Sequence, residues 1–159
     1  MVETKKFVCL ANSRKHSGRC LAGRELKNSR PGAWLRPVSA RASEEVSEYE
    51  RSYEDGSDPK VLDVINVTFL GAKPKTYQQE NWLLDPEYYW VRSGVVNWSA
   101  LPGFAETPAT LWINGISTYN GINDEIPLAT ANTLVRSLYF LRIEAHQETE
   151  WVNPMGNAA

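Results

Sequence analysis

The chain has 159 residues, of which 42% are hydrophobic, and a formal net charge of −2 at pH 7. This length allows one domain or two small ones, and the composition excludes a largely disordered protein. The sequence contains no run of about 18 apolar residues and no apolar core of a secretory signal near its start, which predicts a cytoplasmic protein without a membrane partner.

The small net charge hides a strong segregation of charge along the chain. Ten of the seventeen Lys and Arg residues lie within the first 41 positions, and seven acids follow between positions 44 and 58. Lys and Arg side chains close to phosphates release condensed counterions and give affinity that does not depend on sequence. The basic block therefore predicts a polyanion-binding surface, unless the acidic block packs against it and neutralises it.

Short strands and turns make up the predicted structure of the basic block. The pattern of apolar residues, Gly and Pro predicts a strand at 5–10, a polar turn at 12–19, a returning strand at 20–26 and a strand around Trp34 that Pro37 closes. Short strands separated by closely spaced turns are typical of a small all-β unit.

A helix is predicted over residues 43–55. Ser43 is a suitable N-cap, and Glu44 and Glu45 complement the positive end of the helix dipole. Gly56 then supplies a stop signal.

The remaining segments alternate between apolar runs and polar turns. The nearly continuous apolar run at 61–70 predicts a central strand that is covered on both faces. Further along, the sequence predicts an aromatic and amide-rich section at 77–90, a helical turn at 97–101, Asn-Gly turns at 114–115 and 120–121, a short helix at 127–134 and a strand at 137–145.

Several segments together resemble a prokaryotic family described as the dual OB-containing domain. These segments are residues 9–15, 18–25, 34–39, 53–59, 77–82, 88–90 and 119–124. The resemblance implies two small β-barrels of the oligonucleotide/oligosaccharide-binding (OB) type, an architecture that often binds single-stranded nucleic acid.

The predicted fold is therefore mostly β with minor α, built from OB-like small β-barrels with a short acidic helix. Residues 1–72 are expected to form one OB-like unit that includes the helix at 43–55. Residues 73–146 are expected to form a second β-rich unit, complete or incomplete, packed on the first. Residues 147–159 are expected to be a loose tail.

The predicted function is non-catalytic binding of single-stranded nucleic acid or a nucleotide through the basic N-terminal turn. No cofactor and no metal are expected. A protein that contacts about five phosphates should show a log-log salt slope near −3.5 with single strands. The predicted site consists of phosphate-positioning and base-stacking side chains, namely Arg14, Lys15, Arg19, Arg24 and Arg36 for phosphates and Trp34 or Tyr77 for stacking.

Two other functions stay open from the sequence. The acidic helix and the aromatic section could recognise a protein partner, which would make the chain an interaction or scaffold domain. Asp58 or Asp124 could serve a metal-dependent hydrolase acting on nucleic acid. A zinc site at Cys9, His16 and Cys20 is disfavoured because their spacing matches no standard ligand pair.

Overall fold

The computed structural model describes residues 2–109 and 126–143, and β-strands dominate its ordered backbone. The predicted mostly-β class is confirmed. The helices are short: α1 at Glu48–Arg51, a 3-10 helix at Trp98–Phe104 and α2 at Leu128–Ala131. The strands are β1 at Glu3–Lys15, β2 at Gly18–Lys27, β3 at Arg30–Val38, β4 at Asp63–Ala72, β5 at Asn81–Leu84 and β6 at Val91–Val95.

Five of these strands form a closed ring in the order β1-β2-β3-β5-β4 and back to β1. The pairs β1–β2, β2–β3, β4–β5 and β1–β4 are antiparallel, and β3–β5 is parallel. Strand β6 pairs with β4 on the same side as β5. The ring crosses the predicted boundary at residue 72, because β5 belongs to it, and the division into two units stays a prediction.

The β1–β2 hairpin is longer and its turn tighter than the sequence predicted. Asn12 pairs with Leu21 and Lys15 with Gly18, which leaves a turn of only His16 and Ser17. Gly23 is required for the close pairing of these strands, because a Cβ there would lie 1.8 Å from the Val8 carbonyl oxygen.

Strand β3 also runs further than predicted. Pro37 lies within it rather than closing it, and the strand ends at Val38.

The core fills the inside of the ring. Phe7, Leu21, Leu35 and Phe69 are almost completely buried there, and the Trp90 ring meets Phe7 edge-on at 6.4 Å between centroids.

Strand β4 is central, as predicted, with neighbours on both sides. The prediction that it is covered on both faces is wrong, because Ile65, Val67 and Phe69 are buried while Val64 and Thr68 are partly exposed.

The predicted helix at 43–55 is much shorter in the structure, where α1 spans only Glu48–Arg51 and its N-cap is Ser47 instead of Ser43. Val46 and Arg19 exchange two backbone hydrogen bonds of 2.9 Å, so the segment before α1 pairs with the β-hairpin. Glu44 has a positive φ of 60°, which a continuous helix does not permit.

Of the predictions for residues 97–159, some are confirmed, one is wrong and some lie outside the described residues. The helical turn near 97–101 and the helix near 127–134 are present as the 3-10 helix and α2. The strand predicted at 137–145 is wrong for its described part, because residues 137–143 form no strand. Both Asn-Gly turns and the predicted tail lie outside the described residues. None of the described helices is long and apolar enough to cross a membrane.

Candidate nucleic-acid interface

A cavity of about 300 Å³ lies where the β1–β2 turn, β3, the segment after β3 and the β4–β5 connection meet. We call it the basic pocket. Its side chains come from all four segments, and they include Lys15, His16, Cys20, Arg36, Ser43, Glu44, Lys75, Tyr77 and Gln78.

Positive charge dominates the walls of the basic pocket. The lining residues include the cations Lys15, Arg36 and Lys75 and a single carboxylate, Glu44. The Lys15 ammonium donates a hydrogen bond of 2.5 Å to the carbonyl oxygen of Ser43, another residue of the pocket wall. A pocket with this excess of cations attracts anionic ligands.

Glu44 is bound by two lysines of the β4–β5 connection. Its carboxylate lies 2.6 Å from the Lys75 Nζ and 3.2 Å from the Lys73 Nζ. Burial alone would raise the pKa of the Glu44 carboxyl, but hydrogen bonds and charge from Lys75 and Lys73 outweigh it and hold that pKa below its usual range. Glu44 therefore stays ionised and neutralises part of the pocket's positive charge.

Arg36 reaches the basic pocket from β3, but its guanidinium is already engaged. Its Nη2 lies 3.1 Å from the Glu80 carboxylate and donates a 2.9 Å hydrogen bond to Ser137. The Ser137 hydroxyl in turn hydrogen-bonds the same Glu80 carboxylate. Within the described part of the chain, the Arg36 Nε is buried without a hydrogen-bond partner.

The β4–β5 connection presents Tyr77 and Gln78 in a fixed loop. Lys75 and Gln78 exchange two backbone hydrogen bonds of 3.1 Å, and the Gln79 amide donates to the Lys75 carbonyl at 2.8 Å. The Asn81 amide donates to the Gln78 side-chain oxygen at 3.3 Å. Tyr77 is partly exposed in the pocket wall, where a phenol ring can stack on a planar base.

A second cavity, of about 320 Å³, contains Arg24 and Trp34 instead. These two residues lie directly opposite each other across β2 and β3, with the guanidinium 5.8 Å from the indole centroid. Glu106 lies against both, since it accepts a 2.9 Å hydrogen bond from the Trp34 Nε1 and its Oε1 is 3.2 Å from the Arg24 Nη1.

Arg14 and Arg19 do not line either cavity. They face each other across the hairpin, whereas Lys15 is opposite Gly18. Because successive side chains of a strand point to opposite faces, Arg14 and Arg19 lie on the face of the hairpin away from Lys15.

The seven predicted site residues thus fall into three groups. Lys15, Arg36 and Tyr77 meet in the basic pocket. Arg24 and Trp34 lie in the second cavity, and the remaining two arginines lie on the far face of the hairpin. The predicted phosphate-binding and stacking residues did not include Lys75 or Glu44, although the alternation Lys73-Pro74-Lys75 before Tyr77 was a visible signal, and Gln78 belongs to the aromatic and amide-rich section predicted at 77–90.

The residues considered for metals and hydrolysis have other roles or are not described. Cys9 is buried, where desolvation and the nearby Asp63 charge raise the pKa of its thiol to about 12. Asp58 accepts a 3.0 Å hydrogen bond from Arg51, and Asp124 lies outside the described residues. Within residues 2–109 and 126–143, no three His, Cys, Asp or Glu side chains are grouped so that they could hold a metal ion.

Comparison with known families agrees with this architecture. The family model described as dual OB-containing domain matches residues 5–153. The chain belongs to the dual OB-containing domain family. Curated proteins and solved structures gave no match.

The positions of the two cavities can be compared with the surface on which OB-folds bind their ligands. OB-folds bind oligonucleotides and oligosaccharides on the face of their second and third strands and with the loops between strands one and two and strands four and five. In this dual OB-containing domain, the basic pocket is lined by those two connections and by β3, and the second cavity lies on the outer face of β2 and β3.

Proposed function

We propose that this protein binds single-stranded nucleic acid, or a nucleotide, in the basic pocket. Lys15 and Lys75 bind phosphate oxygens, Tyr77 stacks on a base, and Gln78 hydrogen-bonds a base edge. The observation that carries the proposal is the convergence of three cations and a partly exposed phenol ring at one cavity between the β1–β2 turn, β3 and the β4–β5 connection.

The chemistry of the pocket suits this ligand class. Ammonium groups supply sequence-independent attraction to phosphate, and stacking on an aromatic ring contributes about 1 to 3 kcal/mol per base. A cavity of about 300 Å³ is at the lower end of the size of small-molecule sites, so it holds one base or mononucleotide, with the rest of a strand outside it.

The proposal assigns phosphate binding to fewer residues than the sequence predicted. Arg36 is paired with Glu80 and Arg24 with Glu106, so their charges are shared within the fold. Arg14 lies on the other face of the hairpin from Lys15. Lys15, whose ammonium contacts a carbonyl oxygen and not a carboxylate, is therefore the principal phosphate ligand, and Lys75 and Arg36 add positive charge that Glu44 and Glu80 partly neutralise.

A matched pair of variants tests the site. Lys15→Gln and Arg14→Gln remove the same charge from adjacent positions, but only Lys15 lines the basic pocket. In fluorescence anisotropy with a labelled oligothymidylate, Lys15→Gln should weaken binding and make the salt slope about 0.7 less negative, while Arg14→Gln keeps the wild-type slope. Equal losses in both variants would mean that binding follows overall charge and not the pocket.

A protein partner is the second candidate function, and a different surface favours it. Large apolar side chains in and around β6 are strongly exposed, with Tyr89 at 57%, Val95 at 63% and Trp98 at 75%. Apolar patches of this kind often mark interaction sites. Capture of a partner that survives nuclease treatment and is lost in Trp98→Ser would support this function, and loss of capture after nuclease treatment would count against it.

A further inference from the structure

The Glu106 carboxylate lies on the outer face of β2 and β3, surrounded by donors from four residues. It accepts hydrogen bonds from the Trp34 Nε1 at 2.9 Å, the Arg136 Nη1 at 2.8 Å and the Phe140 backbone N–H at 3.2 Å. The Arg24 Nη1 lies 3.2 Å away. We call these residues, with Glu106, the Glu106 cluster.

One of the donor groups around the Glu106 carboxylate, the Arg24 Nη1, makes no hydrogen bond to it. The Arg24 Nη1 is close enough for an ion pair, but its geometry is not that of a hydrogen bond, and this buried group has no other acceptor among the residues that the structure describes. A buried donor without an acceptor costs free energy. A planar carboxylate presents its oxygens in one plane, whereas a tetrahedral phosphate presents oxygens in several directions and is a preferred partner of arginine.

The charges of the second cavity balance only while Glu106 is in place. The cavity is lined by two cations, Arg24 and Arg136, and by two carboxylates, Glu80 and Glu106. Without Glu106, the lining would have a net positive charge and an unshielded Trp34 ring. Glu106 thus occupies the position that an external anion would take.

The second cavity and the basic pocket are neighbours on the same face. Arg36 lines the basic pocket, and its ion-pair partner Glu80 lines the second cavity. A strand held by Lys15 and Tyr77 can therefore continue over the Arg36–Glu80 pair towards Trp34.

We propose that the Glu106 cluster is a second phosphate subsite, in which a phosphate group of a bound single strand displaces the Glu106 carboxylate from Arg24, Arg136 and Trp34. This subsite rests on the proposed function, since the strand that reaches it is held in the basic pocket. Trp34 then becomes available to stack on a second base.

Neutralising Glu106 tests the subsite directly. Glu106→Gln is compared with Glu87→Gln, which removes the same charge from an exposed position outside both cavities. With a labelled oligothymidylate of about 12 nucleotides, within the range bound by one OB-fold, Glu106→Gln should bind several-fold more tightly than the wild type with a similar salt slope, because the phosphate contact at the subsite is made in both proteins. Glu87→Gln should keep the wild-type affinity. Adding Arg24→Gln to Glu106→Gln should remove the gain.

Glu106→Gln also weakens contacts that hold residues 136–140, so a second measurement uses the wild-type chain. The Trp34 indole N–H resonance, assigned from its loss in Trp34→Phe, should shift when the unlabelled oligothymidylate is added. A shift with inorganic phosphate and none with the oligonucleotide would overturn the assignment to a strand.

The outcomes separate this inference from the proposed function. One outcome is that the wild type binds the oligonucleotide, that Glu106→Gln has the same affinity, and that the Trp34 resonance does not move. This outcome would overturn the subsite but would not contradict binding in the basic pocket. Absence of oligonucleotide binding by wild type and Glu106→Gln at low salt would contradict the proposed function itself.

Discussion

Glu44→Gln should strengthen nucleic-acid binding while lowering the stability of the fold. The substitution removes the carboxylate that lies 2.6 Å from Lys75 and 3.2 Å from Lys73. A phosphate bound to Lys75 would lie about 5 Å from this carboxylate, where the repulsion between two unit charges is about 0.8 kcal/mol in bulk water and about 3 kcal/mol at an effective dielectric constant near 20. Removing it should therefore tighten binding at least about fourfold at low salt.

The salt slope should change as well, because Lys73 loses its carboxylate partner, keeps only a long hydrogen bond of 3.4 Å to the Ser39 carbonyl oxygen and can contact an additional phosphate. We expect the slope of Glu44→Gln to be about 0.7 more negative than that of the wild type. Glu48→Gln is the matched control, since it removes the same charge from an exposed position on α1 outside the basic pocket. Anisotropy titrations at several salt concentrations measure both quantities.

Although Glu44→Gln should strengthen binding, it should destabilise the fold. Lys73 and Lys75 side chains are 37% and 48% exposed, and ion pairs of this kind contribute about 0.2 to 1 kcal/mol each, so Glu44→Gln should lower the free energy of unfolding by about 1 kcal/mol. The folded-state pKa of Glu44 is lowered below that of the unfolded chain, so the unfolded chain binds this proton first as the pH falls. The contribution is therefore present above the ordinary pKa of a glutamate and is lost as the pH falls through the lower folded-state pKa, and Glu44→Gln should flatten that part of the pH dependence.

Unchanged affinity and slope in Glu44→Gln, together with the expected loss of stability, would refute the reasoning. That result would mean that Lys73 and Lys75 are structural partners of Glu44 and do not contact the ligand. An equal gain in Glu48→Gln would attribute the effect to net charge.

Two further predictions concern stacking and the hairpin. Tyr77→Leu should weaken oligonucleotide binding by about 1 to 3 kcal/mol in anisotropy titrations, while Tyr77→Phe, which keeps the ring, retains wild-type affinity; equal affinity in Leu and Phe variants would exclude stacking at this position. Gly23→Ala should destabilise the fold by more than about 3 kcal/mol in chemical denaturation, because its Cβ would lie 1.8 Å from the Val8 carbonyl oxygen, whereas Gly103→Ala, with no atom within 4 Å, should be close to neutral; similar stabilities would contradict the close β1–β2 approach.

Local signals in the sequence predicted most of the strands, because turns and alternating residues depend on near neighbours. The β1–β2 hairpin and central β4 are examples. The prediction of a helix at 43–55 was wrong because of contacts between residues far apart in the sequence. Hydrogen bonds between Val46 and Arg19 join this segment to the hairpin. No local pattern reports such pairing.

The candidate site was harder to predict than the fold, because its charges are set by distant partners. Trp34 and its acceptor Glu106 are 72 positions apart, and Arg36 is paired with Glu80 and Ser137. The sequence indicated that the basic and acidic blocks could neutralise each other, but much of the observed neutralisation comes from acids further along the chain. Strand alternation could have separated Arg14 from Lys15, had the two-residue turn been recognised.

The salt dependence of single-stranded DNA binding by the wild-type protein tests the central claim most directly. The three cations that line the basic pocket, Lys15, Arg36 and Lys75, predict a log-log slope near −2, since each phosphate contact contributes about −0.7, and one further phosphate at the Glu106 cluster would make it about −2.8. A slope near −3.5 that becomes about 0.7 less negative in Arg14→Gln or Arg19→Gln would mean that these arginines also contact the strand, against their separation from the pocket. No binding at low salt would contradict the account.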